Sequence, residues 1–265
     1  MLRLESYAPD VQRLHLSSWR SAVVGYSVSA YLVRGVLVDC GCHAARADLA
    51  RWAESARPRG VILTHAHEDH AGNVELLARR GTRVAAGAGT LDLVRSVGER
   101  PIGFYRRWTW GSMPPLATVG DAFAPEEAGL ALVPLPGHSA DHHVVWDAER
   151  ETLFGGDLFL GVKVRIAHAA EEPRTLVRSL RAAAALAPRR LFDAHRGLVS
   201  DPVERLRAKA DWLEETIGRI DDLAARGWRD TAIRDRVLGR EGMVGYFSGG
   251  EYSKLNLVRG AIRDS

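Results

Sequence analysis

The run Thr64-His65-Ala66-His67-Glu68-Asp69-His70 constrains this chain more than any other feature. It holds three imidazoles and two carboxylates within six residues. Burying such a cluster is costly unless every member finds a charge or a hydrogen bond. A divalent ion supplies both. Two histidines one residue apart, at the end of a strand, can reach one ion. Asp69 and His70 follow at the start of the next helix and point to a second position.

More residues of the same chemical type recur at strand ends. His138 follows the apolar run Leu130–Leu135, in Pro136-Gly137-His138. Asp157 follows Thr152–Phe154 and Gly155-Gly156, and His195 follows Leu191-Phe192 in Asp193-Ala194-His195. Open α/β sheets place ligand sites just outside the carboxyl ends of their strands, so four separate segments deliver metal-binding residue types to one rim. Imidazole and carboxylate without thiolate suit Zn²⁺, and also Fe or Mn.

The surrounding pattern fits an α/β fold. Short β-rich runs at Tyr31–Val33, Val36–Val38, Val61–Thr64, Arg83–Ala85, Leu130–Val133, His143–Trp146, Glu151–Phe154 and Arg190–Phe192 read as strands. Arg34-Gly35 reads as a tight hairpin. Residues 44–56, 70–80 and 173–187 show helical spacing between them. Residues 98–122, rich in Gly, Pro and aromatics, read as irregular. With Trp108 and Trp110 they form either a lid over the site or a surface loop whose tryptophans pack on the core. From Asp201 the character changes. An N-cap Asp, Pro202 and Glu204 open a helix whose apolar face is Val203, Leu206, Ala210, Leu213, Ile217, Ile220 and Leu223, ended by Gly227. Thr231–Leu238 and Lys254–Ile262 read as two shorter helices. This divides the chain into a catalytic domain over 1–200 and an α-helical extension over 201–265.

Composition narrows the function. A chain of 265 residues, 46% hydrophobic, buries its core without help, so a metal here serves chemistry rather than folding. Net charge is +3, from 36 basic and 33 acidic residues. The one tight basic cluster with aromatics is Phe104-Tyr105-Arg106-Arg107-Trp108, so a nucleic-acid partner is not expected. The N-terminus has no apolar stretch of signal-peptide length, and no segment is long and apolar enough to span a membrane. These point to the cytoplasm and away from a secreted antibiotic-degrading enzyme. Cys40 and Cys42 read as small buried residues at a strand end. His15, His43, His142, His143 and His168 read as structural or solvated. No Gly-x-Ser-x-Gly elbow is present, and Gly87-Ala88-Gly89 is a weak nucleotide signal.

In their order, His65-x-His67-x-Asp69-His70, His138, Asp157 and His195 resemble the motifs of the metallo-β-lactamase superfamily, with Asp39 matching the strand-end Asp that opens the pattern. The likeness covers roughly residues 20–200. It implies a four-layer αβ/βα sandwich with a C-terminal α-helical appendage. It also implies a binuclear site in which His65, His67 and His138 hold one ion, Asp69, His70 and His195 the other, and Asp157 both. Asp39 would orient a ligand, and Asp69 would hold the nucleophile, a hydroxide shared by the ions. Two divalent ions against Asp69, Asp157 and hydroxide leave the site net positive, which favours an anionic transition state. The implied activity is hydrolysis of a small-molecule substrate, an ester or thioester. A ribonuclease or phosphodiesterase, and an iron-dependent persulfide dioxygenase, are the alternatives. Glutathione-thioester hydrolases of this family hold their substrate's tail with basic residues near the C-terminus, where this chain has Lys254 and Arg259. Oligomeric state is not legible in the sequence.

Overall fold

The computed structural model describes residues 1–23, 25–97, 102–118 and 123–263. The chain forms two compact units. The first is Met1–Pro134, Asp141–Asp157 and Arg190–Val199; the second is Leu135–Ala140, Leu158–Arg189 and Ser200–Ser265. Residues 201–265 therefore share a unit with two earlier segments.

The first unit is built on two mixed sheets. Strands β1 (Leu2–Tyr7), β2 (Val11–Leu16), β3 (Val28–Val33), β4 (Val36–Val38), β5 (Gly60–Ile62) and β6 (Arg83–Ala85) lie side by side in chain order. They run antiparallel from β1 to β4 and parallel from β4 to β6. Arg34 and Gly35 join β3 to β4 with φ of 51° and 76°, the two positive values that a two-residue type I′ turn requires. The second sheet takes β7 (Ala131–Pro134), β8 (His143–Asp147), β9 (Thr152–Phe154), β11 (Arg190–Asp193) and β12 (Gly197–Val199) in the order β12-β11-β9-β8-β7. Its β9 and β11 are parallel, so Asp157 and His195 leave the same edge.

Burial explains the short, wholly apolar central strands. Val36, Val38 and Ile62 face Val145, Phe154 and Phe192 in one core between the sheets. Leu37, Val61 and Leu63 face the opposite side, against Leu49, Trp52, Val74 and Leu77 of the flanking helices. A strand covered on both faces needs no polar alternation. Phe154 and Phe192 stack with centroids 5.4 Å apart, and Tyr31 tilts onto both. Each such side chain contributes roughly 1.5–3 kcal/mol when fully buried.

The structure departs from the sequence expectations in several places. No sequence pattern announces the β1–β2 hairpin. Most of β1 is exposed at the sheet edge, so no buried face imposes a pattern on it. The helical stretch at 70–80 is two short helices, Glu68–Ala71 and Val74–Ala78. Between them Asn73 turns inward and donates to the carbonyls of Cys40, Gly41 and Cys42. The expected irregular stretch contains a helix, Phe104–Trp110, bounded by Gly103 and Gly111. The ends of that stretch, 98–101 and 119–122, lie outside the described residues.

The second unit is mostly helical, with helices Pro173–Ala185, Pro202–Ala225, Asp230–Val237, Met243–Phe247 and Lys254–Arg263. A two-stranded ladder joins β10 (Ala167–His168) to β13 (Tyr252–Ser253). Leu206, Ala210, Leu213, Ile217 and Ile220 are buried along the long helix, as their spacing predicts. Asp201 stands at the N-cap and Pro202 opens the helix, as expected. Asp201 has φ 49° and makes no side-chain cap, because a capping side chain reaches the first turn's amides from extended backbone. The same face also buries Lys209, whose Nζ donates to the Leu158 and Phe159 carbonyls at 2.9 and 2.6 Å. Among the described residues no helix is long and apolar enough to cross a membrane.

Candidate metal centre

The parallel strands β4 and β5 bring Asp39 beside the turn that carries the histidine cluster. Asp39 sits at φ 58°, in the left-handed region that Asp tolerates better than most residues. Its carboxylate accepts the Thr64 N–H at 2.8 Å, the Thr64 hydroxyl at 2.9 Å and the His70 Nδ1–H at 2.8 Å. Thr64 Oγ1, its proton given to Asp39, faces His65 Nδ1 at 3.0 Å and accepts from it. Across the site, His195 Nδ1 donates to the Ser27 carbonyl at 2.7 Å. The network therefore gives His65, His70 and His195 each an acceptor at Nδ1 and turns Nε2 towards the carboxylates. That is the state a metal-binding imidazole adopts, its other nitrogen tied to an acceptor.

These nitrogens converge with the carboxylates. Ligand atoms of Asp69, His70 and His195 lie within 4.8 Å of one another, as do those of His65, His67 and Asp157. Asp157 Oδ1 also stands 3.2 Å from His70 Nε2 and 3.3 Å from His195 Nε2, and Asp69 Oδ2 is 3.4 Å from His195 Nε2. Two ligands on a tetrahedral zinc, each about 2.0–2.1 Å from the ion, stand about 3.3 Å apart. Donor set and spacing therefore fit a divalent metal. Gly156, at φ 51°, lets the chain pass close: a Cβ there would lie 2.9 Å from both His142 Nε2 and Thr64 Oγ1.

The electrostatics agree. Burial disfavours a charged His70, yet Asp157, Asp39 and Asp69 outweigh it and hold its pKa well above the usual imidazole value. His195, also opposed by burial, is pushed up to about 9 by Asp157 and Asp69. Burial would raise Asp157, but His70 and His195 keep it well below the ordinary carboxylate range. A field that holds protons so firmly attracts a cation equally, and metal and proton compete for these nitrogens.

His138 is carried by the second unit. There the Ser179 hydroxyl donates to Pro136 O, the Glu172 N–H donates to Gly137 O, and His138 Nδ1 stands 3.3 Å from Glu171 Oε1. Trp110 is buried in the helix-side core with its ring 6.2 Å from His195, whereas Trp108 is half-buried with Arg20 at 5.9 Å over its ring. In the same helix Arg106 pairs with the buried Glu68. Cys40 and Cys42 are free and buried, and burial pushes both thiols up, Cys42 to about 12, so neither offers a thiolate at neutral pH. Lys254 donates to the Leu238 and Arg240 carbonyls, and Arg259 faces Asp230. Sequence reasoning did not single out Asp193, which accepts the His195 and Arg196 N–H groups at 2.8 and 2.9 Å, or Asp141. Asp193 had a signal, its place two residues before His195; Asp141 had only its neighbourhood to His138.

A sandwich of mixed sheets with a His/Asp cluster at the strand ends defines a class. The profile of the metallo-β-lactamase superfamily matches residues 23–211, and the chain belongs to that superfamily of metal-dependent hydrolases. It is 28% identical over 219 residues to a β-lactamase-like protein 2 homologue of Drosophila melanogaster, covering 75% of this chain and 70% of that one. A homologue of the same description from Caenorhabditis elegans is 26% identical over 148 residues, covering 55% of this chain but only 45% of its own length. The fold is shared with a metallo-β-lactamase family protein of Thermus thermophilus, at TM-score 0.70 and 20% identity over 98% of this chain and 95% of that one. It is shared too with the metallo-β-lactamase FIM-1 from Pseudomonas aeruginosa, solved in a mono-zinc form, at TM-score 0.61 and 18% identity over 81% and 95%.

Proposed function

We propose that this chain hydrolyses a small ester or thioester with two divalent ions, zinc before iron or manganese, in the cytoplasm. The observation supporting this is the pair of ligand sets meeting at Asp157, with His65, His70 and His195 each oriented by an acceptor at Nδ1. In this reading His65 and His67, with His138 by its place in the motif order, hold one ion. Asp69, His70 and His195 hold the other, and Asp157 serves both. The mono-zinc form of FIM-1 favours zinc.

Bound ions would supply Lewis acidity at the substrate's carbonyl oxygen and lower the pKa of a water towards about 7. The chain's own groups do the rest. Asp69 would accept a hydrogen bond from the attacking water through the carboxylate oxygen not holding the ion, and would pass its proton to the leaving oxygen or sulfur. Asp39 fixes the plane of the His70 ring through Nδ1, and the Ser27 carbonyl does the same for His195. Trp108, half-buried on the helix Phe104–Trp110, forms part of the wall for the acyl group.

The test is elemental analysis of metal-replete protein, followed by a substrate panel: aryl esters, acyl thioesters, lactones, β-lactams, phosphodiesters and single-stranded RNA at low and moderate salt. About two metal equivalents and ester or thioester turnover that changes little with salt are expected. Stable uptake of one equivalent or less sinks the two-ion reading. Salt-sensitive RNA cleavage without ester turnover replaces the substrate class, because polyanion binding weakens steeply with salt.

A further inference from the structure

Three consecutive residues, Asp141-His142-His143, each hold a segment that carries proposed ligands. Asp141 Oδ2 accepts the Ala66 N–H at 2.9 Å, and Ala66 is the residue between His65 and His67. His142 Nε2 accepts the Asp157 N–H at 3.2 Å. The His143 N–H donates to the Thr64 carbonyl at 2.8 Å. The turn leading into β8 thus reaches residues 64, 66 and 157.

The grip on Ala66 is itself held in place. The buried Thr90 hydroxyl donates to the same Asp141 Oδ2 at 2.9 Å, and the Asp141 carbonyl accepts from His143 Nδ1 at 2.8 Å. Asp141 therefore has its carboxylate and its backbone both restrained. A His-x-His turn offers two imidazoles to one ion only while the peptide between them keeps one orientation. Rotation of that peptide swings the two rings apart. A carboxylate oxygen on its N–H, itself fixed by the Thr90 hydroxyl, restrains that rotation.

We infer that Asp141 is a positioning residue of the metal centre, setting the relative placement of His65 and His67 through the Ala66 amide. The inference rests on the reading that these histidines bind metal. A merely structural Asp141 would change stability and leave ion affinity alone.

Three variants of the full chain separate these roles: Asp141→Ala, Asp141→Asn and Thr90→Val. Each is stripped of metal, its melting recorded, and its zinc affinity measured against a chromophoric chelator; kcat and KM are then taken at saturating zinc. Asp141→Ala should weaken one of the two zinc equivalents about 10–100-fold, the range for residues that orient a ligand. Asp141→Asn, whose Oδ1 still accepts the amide proton, should recover most of that loss. Thr90→Val, which leaves the Ala66 bond and loosens the carboxylate, should fall between. Wild-type affinity for both equivalents in Asp141→Ala overturns the inference, as does an affinity loss that Asn fails to reduce or that only tracks melting. If Asp141→Ala does not fold, Thr90→Val with wild-type affinity overturns it. A wild-type chain that takes up no divalent metal overturns the metal reading itself and the inference with it.

Discussion

Asp39 receives a backbone amide, a hydroxyl and an imidazole, so its charge joins β4, the His65 turn and His70. Asp39→Asn keeps the shape but replaces one acceptor oxygen with a donor, facing groups that are themselves donors. Zinc affinity should fall about 10–100-fold. Chelator competition on the metal-stripped protein checks it, and unchanged affinity would show that His70 needs no acceptor at Nδ1. This role is half legible in the sequence. The motif order marks Asp39, whereas Thr64, which relays its charge to His65, is an ordinary strand-end threonine until the strands are paired.

At the scale of elements, the helix Phe104–Trp110 carries two tryptophans in different situations. Trp110 is buried in the helix-side core and Trp108 is half-buried. Trp110→Ala should destabilise the fold by about 3–5 kcal/mol, the usual cost of emptying a buried aromatic site. Trp108→Ala should leave melting nearly unchanged and raise KM. Denaturant melts beside steady-state kinetics test the pair, and the reverse assignment would move the substrate wall to Trp110. The helix Val74–Ala78 presents Glu75, which accepts the Ala117 and Thr118 N–H groups and the Arg79 guanidinium. Burial would raise its pKa, but these bonds hold it below the ordinary value. A depressed carboxyl pKa contributes stability above its unfolded value of about 4.3, lost as pH falls through the lower folded value. The melting difference between wild type and Glu75→Gln should therefore be widest near pH 6–7 and shrink below about pH 4. A difference independent of pH would mean that the charge of Glu75 contributes nothing.

For the molecule as a whole, metal and folding are linked. A ligand bound only by the native state stabilises it by about 2.7 kcal/mol at a hundred times its Kd. Saturating zinc should then raise the melting temperature by about 5–10 °C, and a chelator should reverse the shift. Differential scanning calorimetry with and without chelator measures it. A melt insensitive to both would place the ions outside the folded core's energetics. The stripped protein should still fold, because both sheets of the first unit and the long helix of the second bury continuous apolar faces without a metal.

The His65–His70 cluster, the strand-end positions of Asp157 and His195, and the short apolar strands were legible because each is local. Ligand chemistry lies in the residue type, spacing along a strand or helix sets which face a side chain takes, and a doubly buried strand reads as a continuous apolar run. Three kinds of feature came from tertiary structure alone. Polar braces such as Asp141 on Ala66 and Asn73 on the Cys40–Cys42 carbonyls join residues far apart in the chain and leave no periodic trace. The exposed edge strand β1 has no core to pattern it. The rings of His65, His70 and His195 are oriented by acceptors that only folding brings within reach: the Thr64 hydroxyl oriented by Asp39, Asp39 itself and the Ser27 carbonyl. A sequence states which groups can bind an ion; the distance between non-neighbouring groups decides in which direction each one points.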